Sequence, residues 1–384
     1  MPPKLRELDV QETPEGLALT DPLGLSEQVL ILSPEAYYIA TLFDGTRSLE
    51  DVQALLLREH GSVVPREKLE ELLTALEKAR FLEDPKLREL AEERLRAYLR
   101  EPRPMALADR SYPRDPEAFR RYVETLRAFH EGEVAPASGG LVMPHLEPAR
   151  VPELYGVAIE AMRRTPPPDR VVVLGVAHRG VAEVAAAWGT PLETPLGPLP
   201  VDLEALQALD ALLPFELFNS PLAFREEHSI EFPAVFMKAA WSDAAPRVLP
   251  LIVSGDPERK AGLDELARAL ALLAERYPLW PLASVDLSHV GTRFGHPPLD
   301  RERVTQARSV DRRYLELVAA GAFDAAWASL VPAGNPTYVD AYAAVHAGHR
   351  LFAGRGAVLG YALSPEIPTL SAVGAGVIAF SADA

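Results

Sequence analysis

Five side chains of this sequence have the types and the placement to share one piece of chemistry. His145 ends the apolar run "GLVMPH", His178 ends "VVVLGVAH", and Asp286 ends "PLASVD" with His289 three residues beyond it. His228 stands in "FREEHSIEF", directly before an apolar helical run. Two imidazoles and one carboxylate can hold Fe(II) and leave positions open for oxygen and substrate. An imidazole titrates near neutral pH, so His228 and His289 are candidates for a catalytic acid or base. The chain has no cysteine, which excludes disulfides, thiolate ligands and a Cys nucleophile. Any metal site must therefore use His, Asp or Glu.

Each residue also has a plainer reading. A lone His at a strand end more often hydrogen-bonds within a loop, and a lone Asp there caps a turn. The repeated placement favours a common site. His346 and His349 share one face of the helical stretch "YVDAYAAVHAGHR", with no acidic partner evident. "GVAHRG" lacks the full dinucleotide fingerprint, and no GxSxG turn supports Ser284 or Ser288 as a nucleophile. A hydrolase is thus a distant third reading.

The elements that must carry these residues follow from periodicity and breakers. "RVVVLGVAH", "RVLPLIVSG" and "WPLASVDLSH" are continuous apolar runs, as in strands covered on both faces. A helix at 153–163 and helical segments at 201–212, 229–241, 258–276 and 301–320 separate them, and "GAVLGYALS" and "GAGVIAFS" add two strands. The expected fold is α/β, with a mixed, largely parallel central sheet flanked by helices. Its strand ends would open on a ligand crevice. Ser229 is expected to cap the helix after His228. Residues 1–85 read as a separate module of two strands and three short helices, a winged-helix shape. Residues 86–103 read as a charged helix and Pro-rich linker, and 104–384 as the main domain.

A net charge of −16 argues against nucleic acid as a partner. No apolar run approaches the ~20 residues of a membrane span, and "MPPKLRELDV" lacks the apolar core of a signal peptide. The cytoplasm is the expected location. Proline is abundant, 36 residues, which with Arg- and Glu-rich helices suggests a thermostable chain.

"SYPRDPEAF", "GGLVMPH", "VVVLGVAH", "TPLGPLPVD", "EHSIEF", "VLPLIVSG" and "ASVDLSHVGTRFG" occur in an order that resembles the Memo family. Its bacterial members are often called AmmeMemoRadiSam system protein B. The family is similar to class III extradiol dioxygenases, which use non-haem Fe(II). The resemblance implies a metal-capable pocket in which His145 falls on the family's first pocket histidine, His178 in its histidine pair, and His228, Asp286 and His289 on the other polar positions; His145, His178 and Asp286 are the expected ligands. There are departures. Arg179 replaces the second histidine of a pair, "PHLEPAR" replaces a small-residue turn, and Ala333 precedes Gly334 where members often carry cysteine. Glu147, two residues after His145, is a substitute ligand. "LSPEAYYIATLFDGTRSLEDV" gives the first module a resemblance to PqqD-like winged-helix domains, which recognise leader peptides. The resemblance therefore implies an iron-dependent redox enzyme with a peptide or radical-SAM protein as partner. The alternative is a non-catalytic peptide- or protein-binding protein whose dioxygenase-like pocket has lost its metal.

Overall fold

A computed structural model describes residues 2–6, 8–21, 25–130 and 132–382. The chain divides into two compact units, Met1–Arg100 and Glu101–Ala384.

The first unit contains an antiparallel sheet of β1 (Asp9–Thr13), β2 (Gly16–Thr20) and β3 (Leu30–Leu32). The polar run "DVQET" conceals β1 from a periodicity reading. Four helices follow: α1 (Pro34–Thr41), α2 (Leu49–His60), α3 (Arg66–Lys78) and α4 (Pro85–Tyr98). Ser33 caps α1 with Pro34 at the first helical position. Ser48 and Asp51 form a reciprocal capping box on α2, which stops at Gly61 in the left-handed region. Leu19, Phe43, Val52, Leu69 and Phe81 make the buried centre of this unit.

The second unit is a three-layer α/β structure. Its elements are α5 (Pro116–Ala128), β4 (Gly140–Met143), α6 (Pro152–Arg164), β5 (Arg170–Val176), β6 (Ala185–Ala187), α7 (Leu203–Asp210), α8 (His228–Trp241) and β7 (Arg247–Val253). They continue with α9 (Lys260–Arg276), β8 (Trp280–Ser284), β9 (His289–Gly291), α10 (Arg301–Ala319), α11 (Phe323–Leu330), α12 (Ala341–Gly348), β10 (Arg355–Glu366) and β11 (Ser371–Ser381). Among the described residues the sheet has eight strands, ordered β10-β11-β4-β8-β5-β7-β6, with β9 on β11. β4, β8, β5 and β7 are mutually parallel, and the outer pairings are antiparallel. Helices α5, α6 and α8 pack as one layer; α9 to α12, with α7, form the other. That double cover explains why Val171–Leu174 and Val248–Val253 are buried throughout.

The order β4-β8-β5 has a direct consequence. His145, Asp286 and His178 each lie two residues beyond the end of one of these strands. Parallel neighbours sit about 4.8 Å apart, so the three residues leave the same sheet edge side by side.

Residues 101–103, read from sequence as linker, belong to the larger unit. Arg103 is 1% exposed. Its guanidinium donates to Glu231 at 2.7 Å and to the carbonyls of Phe224 and Glu227 at 2.6 and 3.2 Å. Glu231 also accepts from the N–H groups of Ala106 and Leu107 and from the Tyr112 hydroxyl. This buried network fastens residues 103–112 to α8. Removing one partner of a buried pair strands the other charge, at a cost of about 3–5 kcal/mol. Arg103→Ala should lower the unfolding free energy of the larger unit by that amount in denaturant titration. A change below ~1 kcal/mol would show the pair to be dispensable.

Candidate metal centre

Three imidazoles converge at the sheet edge. Ligand atoms of His145, His178 and His228 all lie within 4.8 Å of one another. The His178 and His228 rings stack at 4.3 Å between centroids, and His145 meets both edge-on at 4.9 and 4.8 Å. His145 is fully enclosed, whereas His178 and His228 retain about a third of their side-chain exposure, 34% and 35%.

Two of the rings are oriented from behind. The Ser284 carbonyl binds His145 Nδ1 at 3.0 Å, leaving Nε2 toward the cluster. Glu227 binds His178 Nδ1 at 2.9 Å and leaves that ring's Nε2 free in the same way. Such outer carboxylates and carbonyls are what fix the tautomer of metal-binding histidines. Glu227 also caps α8, accepting from the Ser229 N–H at 3.0 Å. The cap is therefore Glu227 and not Ser229. The Ser229 hydroxyl instead meets the N–H and carbonyl of Val176 on β5, at 3.0 and 3.2 Å. That close approach requires Gly175, where a Cβ would stand 2.4 Å from Ser229 Oγ.

Asp340, just before α12, completes the cluster and does not stand out from the sequence. Its Oδ1 accepts the Asp286 N–H at 2.8 Å. Its Oδ2 lies 3.2 Å from His145 Nε2 and 4.0 Å from His178 Nε2, is buried, and makes no well-formed hydrogen bond. The available signal is an acid preceding an apolar helix. That pattern reads as a cap, yet Asp340 makes no cap bond.

The remaining candidates surround this core. Asp286 Oδ1 accepts the N–H groups of His145 and Leu146 at 3.1 and 3.0 Å, and its Oδ2 is 3.6 Å from His145 Nε2. It thus holds the loop that carries His145. His289 opens β9 rather than a free turn. Its Nδ1 binds the carbonyls of Leu287 and Tyr338 at 2.8 and 3.0 Å, and its ring lines the same cavity as the three histidines. Glu147 lines that cavity too, but its carboxylate accepts from the Ser111 hydroxyl at 2.6 Å. Arg179 pairs with Glu226 at 2.8 Å. His346, by contrast, has an acidic partner: Asp264, at 2.7 Å.

Charge in the cluster is sharply divided. Burial opposes a proton on His145, but the Asp286 and Asp340 carboxylates outweigh it and lift its pKa to about 10. Burial, reinforced by the neighbouring imidazoles, presses His228 down to about 3. Glu227 would be raised by burial, yet its bond to His178 and the nearby imidazoles bring it to about 2. Asp340 is lowered against its burial by His145, while burial raises Asp286. His145 therefore carries a proton and His228 is neutral. Imidazole Nε2 atoms of His145 and His178 turned inward by fixed partners on Nδ1, with the His228 ring and the Asp340 carboxylate beside them, fit a divalent ion once the His145 proton is lost.

The sequence signature of Memo-like proteins matches residues 103–379, the span that holds every residue of this centre. A MEMO1 family protein of Thermus thermophilus is 48% identical over 336 residues, covering 86% of this chain and 98% of that protein. One of Aquifex aeolicus is 31% identical over 353 residues, covering 88% of each. The match begins at the buried Arg103 and runs into β11, and the chain belongs to the Memo family.

Proposed function

We propose that the larger unit is a non-haem-iron-dependent oxidoreductase of the extradiol-dioxygenase type. The observation that carries this reading is the convergence, at one strand edge, of three imidazoles and the buried Asp340 Oδ2, 3.2 Å from His145 Nε2. His145, His178 and His228 would hold Fe(II), with Asp340 as the carboxylate arm. His228 would then ligate rather than move protons, as its neutrality suits. When bound, the iron would supply Lewis acidity and open positions for oxygen and substrate. His289 would move the proton. Its Nδ1 is held by two backbone carbonyls, so Nε2 is the atom left to accept a proton from a substrate hydroxyl. Glu227 and Ser284 would keep the ligand rings in place. The first unit, with its PqqD-like resemblance, would dock a peptide or a radical-SAM partner protein.

A second reading is supported by the self-sufficiency of the charges. His145 with its carboxylates and His178 with Glu227 are paired without any ion, as a binding protein that has given up its metal would require.

Elemental analysis after anaerobic Fe(II) loading and desalting separates the two. About one iron per chain is expected. His145→Ala, His178→Ala, His228→Ala and Asp340→Asn should each weaken retention at least tenfold. A parent protein that holds no metal, or variants that hold as much as the parent, would establish the second reading.

The His145 proton gives a further expectation. Its metal-free pKa is about 10, so at pH 6.5–8.5 metal binding must expel that proton. His228, at about 3, contributes none there. The His145 proton alone should make apparent affinity rise about tenfold per pH unit, with that proton released. Calorimetry in buffers of different ionisation enthalpy measures both. Affinity that is flat over this range would show that His145 is not a ligand.

A further inference from the structure

The cavity beside the imidazoles has a volume of about 930 Å³, within the range of small-molecule sites, ~300–1,000 Å³. Part of its lining is cationic, although the chain carries a net charge of −16. Arg110, Arg150 and Arg293 line it from three separate segments, together with apolar Phe232, Phe294 and Val373.

The arginines show what they are built to hold. Arg150 is anchored by bonds from Nε and Nη2 to the Ser364 hydroxyl and carbonyl, at 3.2 and 2.9 Å. That leaves Nη1, which lies 3.6 Å from Glu366 Oε2. Arg293 donates to the same oxygen at 2.7 Å. Two guanidiniums thus converge on one carboxylate oxygen. Glu366 stands at the end of β10, at the turn where Ile367 is 78% exposed. Arg110 makes no side-chain hydrogen bond or ion pair among the described residues, and its charge acts on Glu147 nearby. Guanidinium stays charged at any working pH and matches a carboxylate in a planar, two-point contact.

We propose that this cavity takes a small organic carboxylate, whose charged end binds Arg150 and Arg293 in place of Glu366 and is drawn in further by the Arg110 charge. Its apolar body would face Phe232 and Val373. The proposal rests on the metal-centre reading only for the reacting end of the substrate. The anionic end follows from the arginines.

The test uses the full chain stripped of metal by chelation, so that it stands apart from iron loading. Calorimetric titration compares benzoate with neutral benzyl alcohol and with phenyl phosphate. Benzoate should bind at least tenfold tighter than benzyl alcohol. The paired substitutions Arg110→Gln and Arg293→Gln, both at exposed side chains, should weaken benzoate at least tenfold and leave benzyl alcohol unchanged. Glu366→Gln removes the competing carboxylate and should tighten benzoate several-fold, a gain that misfolding cannot produce. Equal binding of benzoate and benzyl alcohol, indifference to the arginine substitutions, or no gain in Glu366→Gln would each overturn the proposal. Phenyl phosphate binding tenfold tighter than benzoate would overturn the carboxylate assignment in favour of a phosphate. Failure here leaves the metal centre standing, and failure of iron loading leaves this measurement intact.

Discussion

The carboxylate of Glu227 is the constraint on which the centre depends. It binds His178, which leaves β5, and caps α8, which begins at His228. One buried acid therefore fixes the relative position of two imidazoles that come from different elements. Its backbone carbonyl is held in turn by Arg103, whose partner Glu231 lies one turn further along α8. An isolated buried carboxylate would take up a proton. Glu227 remains an anion because the imidazoles and the helix N–H face it, and a protonated Glu227 could not serve both the His178 ring and the cap equally well. The helix start, the strand end and the charge state are consequences of one arrangement.

The stretch "SVDLSHVG" shows the complementary device. Between Ser284 and His289 the chain has no regular structure, so its N–H groups need other acceptors. Asp286 N–H goes to Asp340, Leu287 N–H to the Gly374 carbonyl, Ser288 N–H to Asp311, and His289 N–H to the Thr337 carbonyl. Every donor in the turn is satisfied by a distant residue. The turn is therefore held without helix or sheet, and Asp286 and His289 face the cavity from fixed backbone. Asp311 is itself buried between Ser288 and Tyr361, with its pKa raised by burial to about 6. It approaches the sheet so closely that a Cβ at Gly374 would lie 2.2 Å from its Oδ2.

These long-range bonds separate the parts of the centre that the chain alone reveals from those it hides. His145, His178 and Asp286 are legible because each ends an apolar run, and runs of that kind mark the strands of a doubly covered sheet. The parallel core and the main helices are legible for the same reason. Asp340 is not, because its role comes from a hydrogen bond to an N–H 54 residues earlier, and no local pattern encodes that. Arg103 is hidden among prolines that resemble a linker. Short β6 and β9 exist only through pairing with β7 and β11, so their three-residue sequences carry no period to detect. The capping of α8 is easily misread because Ser is the commoner cap, and only the fold shows its hydroxyl turned to β5.

Charge balance links the two ends of the cavity. Without an ion, the proton on His145 offsets the neighbouring carboxylates. Exchanging that proton for a divalent cation raises the local charge by one unit. The same cavity also carries three guanidiniums, which Glu366 and Glu147 offset only in part. In a partly enclosed space such charges are weakly screened. An ion at the histidines and an anion at the arginines would therefore each make the other's binding more favourable. Coupling of this kind is reciprocal by linkage, so a cavity poised between a protonated and a metal-bound state is also poised between empty and anion-filled ones.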